Sequence, residues 1–417
     1  MTMHKVSRRA ALLMLPLLST ALCAAGASAQ TPSPGITDTS VLIGITAPVS
    51  GPAAALGGVS RGIELRVNAI NAAGGVKMAD GKTRKIELTI LDDAVDPQRA
   101  LTNARRLVES NKVFALVGTM TTASNQAVAP YADEQKVPNL FLYSAVAEWG
   151  SEKTHPWSMS LLISFPTEAA VFVEYLKRFK SNAKVAVLYL NTDMGQGFLA
   201  GLKTALAGTG VTMVGSQATT SNDPTVDTQL SNLRATGADT LMIATAPRQG
   251  AQAVRYAAES GWKPTILMSH ASSSVANLKP AGLDNAKGVI TAQFLKPFDQ
   301  SKVASDPGLK DYSDTYDTFK PRFDKIDTLG QQGYLIGDAL IHLLSTIKEP
   351  TRESLMRAAR NLDGLSLGLL MPGIKVTTKS GVDGYPIESL QLFQFDGAEY
   401  QPIGEVISYE GKTPLPD

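Results

Sequence analysis

A β-strand followed by a helix, recurring mostly every 26 to 28 residues, is the pattern that most constrains this chain. Apolar, β-branched runs begin near Ile86, Val113 and Asn139, and again near Lys184, Val211, Asp239, Thr265 and Gly288. Between them, residues 59–72, 97–110, 167–180 and 249–260 carry a helical apolar period. The runs Val41 to Thr46, Val185 to Leu190 and Thr240 to Thr245 are apolar without alternation. Strands read this way when helices cover both faces of a parallel sheet. The expected fold class is α/β, with mostly parallel sheets flanked by helices.

The pattern breaks twice. After Phe141 to Tyr143 an aperiodic stretch passes Trp149, Pro156 and Trp157, and after Gln293 a polar segment with Pro297, Asp299 and Pro307 reaches about Thr315. Both breaks read as crossings between two discontinuous lobes. A helical block follows over 329–348 and 351–361, and alternation over Ser389 to Phe395 predicts a closing strand. The expected boundaries are 1–29 for an export leader, 38–160 plus 295–370 for an N-terminal lobe, and 161–294 plus 371–417 for a C-terminal lobe. Ligands of open α/β sheets bind beyond the carboxyl ends of the strands. Two such lobes would face each other across a cleft that a hinge can close.

The leader reads as a signal peptide. Lys5, Arg8 and Arg9 form its basic region, Ala10 to Ala25 an apolar stretch short of a comfortable bilayer span, and Ala27, Ser28 and Ala29 a small-residue cleavage site. Ser7, Arg8 and Arg9 resemble the start of a twin-arginine signal, so the export route stays open between that and the general pathway. The single cysteine, Cys23, lies in this leader. A mature chain would therefore carry no disulfide, thiolate metal site or cysteine nucleophile. Three of the 39 basic residues and none of the 38 acidic ones fall in the leader, leaving 36 against 38. A near-neutral chain offers no electrostatic case for nucleic acid or an anionic membrane surface. Its length is too great for one ordinary core and predicts two domains.

Enzyme motifs are not found. Gly81-Lys82-Thr83 and Gly411-Lys412-Thr413 have no glycine five residues earlier, so neither forms a phosphate-binding loop. Gly195, Gly197 and Gly201 have one residue too many for a dinucleotide fingerprint and read as a turn opening a helix. His155, His270 and His342 show no paired metal spacing. There is no Gly-x-Ser-x-Gly elbow. Asp92-Asp93, the tightest carboxylate pair, reads as strand-end or loop capping. No cofactor and no metal are expected.

Loops rich in hydroxyls and small residues remain. Val49 to Ala54 and Gly118 to Asn125 each end a predicted strand just before a helix. Such loops place backbone N–H groups and hydroxyls at a helix N-terminus, which suits an anion. Plain N-capping explains either loop taken singly. A third strand end, Tyr143-Ser144-Ala145, falls on the same rim and points to a carboxylate site.

The segments Gly44 to Pro52, Asp92 to Pro97, the Gly118 loop, Tyr131 to Glu134 and Met194 to Gly197, in that order, resemble the leucine/isoleucine/valine-binding type of periplasmic solute-binding proteins. The resemblance covers nearly all of the chain after the leader. It implies a two-lobed type I binding protein that works as a monomer in the periplasm and closes on its ligand. It also implies a partner, an ABC-type permease in the inner membrane, and no enzymatic activity. In that family a hydroxyl after the third strand and the residues at the fourth strand end hold the ligand carboxylate. Thr122, Ser144 and the backbone of Tyr143 and Ala145 match those places. Leu56 stands where an aromatic lines the side-chain pocket. Phe165, Met194, Ala246 and His270 stand where the family uses an aspartate, two tyrosines and a glutamate on the second lobe.

These departures bear on the ligand. A buried α-ammonium left without a carboxylate costs several kcal/mol, and Phe165 and His270 replace two acids. Asp193, next to Met194, is the other candidate for an acid. The expected ligand is a small carboxylate without the amine, an aromatic or keto acid, with Phe165, Met194 and Tyr143 as apolar contacts and His270 donating to a second oxygen. The alternative is a branched-chain amino acid. Alternatives of another class are an exported hydrolase and a sensory ligand-binding module.

Overall fold

The computed structural model describes residues 1–2, 32–51 and 53–416, so the leader read at 1–29 lies, past its first two residues, outside the described residues. In the unit that begins at Pro32, the predicted apolar runs become strands. The first sheet takes β1 (Ser40–Ala47), β2 (Val76–Lys77), β3 (Thr83–Asp92), β4 (Ala115–Val117), β5 (Asn139–Leu142) and β6 (Ser158–Ser160), in the order β2-β3-β1-β4-β5-β6. All its pairings are parallel except the short edge strand β2. The second sheet takes β7 (Lys184–Leu190), β8 (Thr212–Thr219), β9 (Thr240–Ala244), β10 (Thr265–Met268), β11 (Ile290–Gln293), β12 (Ser389–Phe395) and β13 (Tyr400–Ser408), in the order β13-β12-β11-β10-β9-β7-β8. It is parallel through β11, and β12 and β13 join antiparallel at one edge.

Unbroken apolar runs are explained by burial on both faces. In β4, Ala115 and Val117 enter one core while Leu116 enters another beside Leu107 and Val128; in β7, Val185 and Val187 part in the same way from Ala186 and Leu188. Each fully buried Val or Leu side chain of this kind contributes about 1.5–3 kcal/mol. Helices Pro97–Arg105 and Thr122–Gln135 pack together beside the first sheet, and Phe165–Phe179 packs against Asp193–Leu206 beside the second.

The helix Thr328–Thr346 packs tightly on Gly58–Ala72. Glycines permit that approach: a Cβ on Gly333 would lie 2.0 Å from the Val59 carbonyl oxygen, and one on Gly62 2.1 Å from that of Gly330.

The polar segment after Gln293, read as a crossing to about Thr315, contains a helix, Pro307–Phe319. Asp306 caps it by accepting from Gly308 N and Leu309 N, and Pro307 supplies the fixed φ of a first helical turn. Leu309 and Tyr312 bury its inner face. The other break likewise holds a short strand, β6, whose polar Ser158 and Ser160 conceal it from a hydropathy reading.

Three connections run between the sheets: from β6 into the helix Phe165–Phe179, from β11 toward Pro307, and from the helix Arg352–Ala359 to β12. The latter two are laced by Lys296 N–H donating to Leu369 O (2.9 Å) and Met371 N–H to Phe294 O (2.8 Å).

Candidate ligand cleft

In each sheet the strand order reverses beside one central strand, β1 in the first and β7 in the second. Carboxyl ends of strands at such switch points are where open α/β sheets bind ligands. The loops after β1, β4, β5, β7, β9 and β10 carry eight of the nine residues expected at the site, and Phe165 opens the helix that follows β6.

On the first sheet, Thr122 opens the helix Thr122–Gln135, and its Oγ1 lies 2.9 Å from Ser144 Oγ at the end of β5. Ser144 also accepts a bond from Trp149 Nε1 at 2.8 Å, with the indole buried. The Ser144 hydroxyl therefore spends one of its two acceptor lone pairs on Trp149, and either hydroxyl of the pair can donate to the other. The loop before Thr122 is strained: β-branched Thr121 adopts a φ of 65°, a conformation costing about 1–3 kcal/mol. Asn125 Nδ2 holds it by donating to the carbonyls of Thr119 (2.9 Å) and Thr121 (2.8 Å).

Backbone groups of two first-sheet residues are engaged within the protein. The Tyr143 N–H donates to the Thr119 carbonyl at 2.9 Å as part of the β-bridge between Met120 and Tyr143. Its phenol is bonded to Gln332 on the helix Thr328–Thr346, and burial pushes its pKa up. Tyr143 is thus a structural tie on both of these groups. The Ala145 carbonyl accepts from Phe165 N–H at 2.9 Å, joining the two walls of the cleft. Leu56 lies half-buried on the 3-10 turn Ala54–Gly57, which Arg61 Nη2 holds through the Ala54 carbonyl at 2.9 Å.

On the second sheet, the Phe165 and His270 rings stack at 6.3 Å between centroids and 24° between planes. Met194 sits half-buried in the first turn of Asp193–Leu206, and Ala246 caps Pro247–Glu259. Leu56, Met194 and Ala246 belong to neither of the pairs Thr122–Ser144 and Phe165–His270. Asp193 is exposed, and its carboxylate accepts from Gln126 Nε2 at 3.2 Å, a bond from the first-sheet wall to the second.

The residue the sequence reading missed is Glu168. It lies one turn after Phe165, with no exposure, and its carboxylate accepts three bonds: from His270 N–H (2.7 Å), His270 Nδ1 (2.9 Å) and Ser269 Oγ (2.7 Å). Burial opposes charge on His270, but the Glu168 carboxylate outweighs it and holds the imidazole pKa above its ordinary value. A signal was present: Glu168 occupies the stripe shared by Phe165 and Phe172, where every neighbour on that face is apolar.

Asp92 and Asp93 do act as loop caps. Asp92 accepts from Val49 N (3.0 Å) and Ser50 Oγ (2.6 Å), and Asp93 from Thr46 Oγ1 (3.0 Å) and Val95 N (2.9 Å). Asp383, Glu388 and Glu410 bring carboxylate oxygens within 4.8 Å of one another, a grouping that histidine spacing could not reveal. Among the described residues no helix is long and apolar enough to cross a membrane.

The sequence profile described as periplasmic binding protein matches residues 40–399. A Leu/Ile/Val-binding protein homolog 7 from Brucella suis biovar 1 (strain 1330) is 27% identical over 294 residues, covering 66% of this chain and 70% of that protein. Among solved structures, a branched chain amino acid ABC transporter from Thermus thermophilus with bound valine superposes with a TM-score of 0.74 at 17% identity, covering 90% of this chain and 98% of its own. A fatty acid ABC transporter substrate-binding protein from Thermomonospora curvata gives 0.71 at 22% identity, covering 92% and 97%.

Proposed function

The chain belongs to the periplasmic binding protein family, the non-enzymatic solute-binding components of ABC transporters, and from that premise we propose that it captures a small carboxylate lacking an α-amine, an aromatic or keto acid. The Thr122–Ser144 hydroxyl pair at 2.9 Å on a helix N-terminus supports the carboxylate, a setting suited to an anion, and the stacked Phe165 and His270 on the facing wall, with no exposed acid between them among the described residues, support the missing amine. Phe165 and Met194 supply apolar contact from the facing wall. The lobes are taken as 38–160 with 295–370 and 161–294 with 371–417, pivoting on the three connections between the sheets. Closure there presents the loaded form to an inner-membrane permease, so affinity and delivery depend on the ligand favouring the closed state. Export by the leader at 1–29 would place this monomer in the periplasm.

A second reading is favoured by the relatives' names and by the valine in the Thermus structure: a branched-chain amino acid. That ligand needs an acceptor for its ammonium. Glu168 is enclosed by its three donors, and Asp193 is exposed and bonded to Gln126. Thermal stabilisation of refolded, ligand-free protein by leucine, valine, 4-methyl-2-oxopentanoate and benzoate decides between them. Free ligand at a hundred times its Kd adds about 2.7 kcal/mol. Stabilisation by the amine-free acids alone is the expected result, and stabilisation by leucine or valine refutes it.

A further inference from the structure

Glu168 cannot touch a ligand itself, because it has no exposure and its two carboxylate oxygens are occupied by Ser269 and His270. What it can do is decide which hydrogen-bonding character His270 offers. The imidazole has one edge committed, Nδ1 to Glu168 at 2.9 Å, while its side chain keeps 20% of its exposure. Nε2 lies on the opposite edge of the ring. Phe165 stacks against the ring plane, and Phe165 and Glu168 sit on one helix, so a single rigid element fixes both the plane and the tilt of His270. Glu168 lies in the first turn of that helix, where the dipole favours a carboxylate.

Resting on the carboxylate reading above, we propose that Glu168 is a positioning residue that holds His270 as an imidazolium, so that the second wall presents an Nε2–H donor and selects a ligand oxygen in place of an ammonium. A doubly protonated imidazole has two donors and no acceptor, and an ammonium facing it meets a like charge. A neutral imidazole hydrogen-bonded through Nδ1–H would instead offer an Nε2 lone pair, with buried Glu168 as the counter-charge, and would welcome an amine. The sign of the selectivity therefore turns on one proton. Among the described residues, the charged group against the imidazole is the Glu168 carboxylate; Phe165 on the same helix and Ser269 on the preceding strand end are neutral. The proton leaves as pH rises through the elevated imidazole value, and with it the donor.

The test uses leucine and 4-methyl-2-oxopentanoate, which share a carbon skeleton and differ in ammonium against keto oxygen. Calorimetry on the ligand-free mature chain from about pH 5.5 to about pH 8.5 should show keto-acid affinity falling about tenfold as His270 deprotonates. Imidazole 15N shifts on histidine-labelled protein report the same proton without any ligand. The His270 midpoint should lie above that of an ordinary histidine, and Glu168→Gln should lower it by about one unit or more. His270→Gln, which keeps a donor but cannot titrate, should bind the keto acid with no pH dependence in this range. Any leucine affinity should rise with pH on the His270 midpoint; keto-acid affinity that rises, or leucine affinity that falls, on that midpoint overturns the proposal. If neither probe binds, the carboxylate reading fails, and the NMR midpoint decides the pair alone: a wild-type His270 that titrates at or below the ordinary value overturns it.

Discussion

Thr122→Val and Ser144→Ala should separate ligand binding from folding at the hydroxyl pair. Both remove one of two oxygens 2.9 Å apart, so each should cost a ligand carboxylate one charge-assisted hydrogen bond, about 1.5–3 kcal/mol, or roughly tenfold to 150-fold in affinity. Their effects on stability should differ. Ser144 accepts from the buried Trp149 Nε1 at 2.8 Å, so alanine there orphans an indole N–H at a cost of about 1–3 kcal/mol. Valine at Thr122 keeps the shape and leaves the Trp149–Ser144 bond in place, costing at most the one hydroxyl bond, about 0.5–1.5 kcal/mol. Urea unfolding of the ligand-free protein measures the second effect, and calorimetry with 4-methyl-2-oxopentanoate the first. Unchanged affinity in Thr122→Val, with the expected stability loss in Ser144→Ala, would show that the pair braces the β5 loop and does not hold the ligand.

Two other predictions test the fold. Gly333→Val forces a Cβ to 2.0 Å from the Val59 carbonyl, and separating the two helices should cost more than about 3 kcal/mol, seen as a lowered urea midpoint or failure to fold. Burial raises Glu388 and Glu410 each to about 7, so the stability they contribute is full below the ordinary carboxylate value and is lost as pH rises toward 7. Glu410→Gln removes one such titration. It should raise Tm at about pH 8 more than at about pH 5, by the equivalent of about 1 kcal/mol after allowance for partial exposure, and an equal effect at both pH values would refute the coupling.

The architecture was legible because parallel strands covered on both faces need unbroken apolar runs, and those runs stand in the sequence at a regular spacing. Elements with another basis for stability were not. β6 is three residues with two serines, one of which, Ser160, donates to the Leu142 carbonyl at 3.0 Å, and the helix Pro307–Phe319 carries its signal in the Asp306–Pro307 cap within a polar stretch. At the cleft, the hydroxyl-rich helix start at Thr122 and the strand end at Ser144 were legible from composition, whereas the bond from Tyr143 N–H to the Thr119 carbonyl was not, because it is set by strand pairing.

Glu168 shows why the second wall was harder to read than the first. A site residue found by register is found one position at a time, and at 165 and 270 the register gives Phe and His, which look like the loss of two charges. The structure returns one carboxylate one turn further along the same helix, buried and tied to His270. That carboxylate lies in the layer behind Phe165 and His270. A negative charge facing the ligand attracts an ammonium directly, whereas the same charge behind an imidazole first attracts a proton, and the ring then shows the cleft a donor. The wall can thus keep its carboxylate and still reverse the group it selects, which is why residue identity at the cleft surface alone does not fix the ligand.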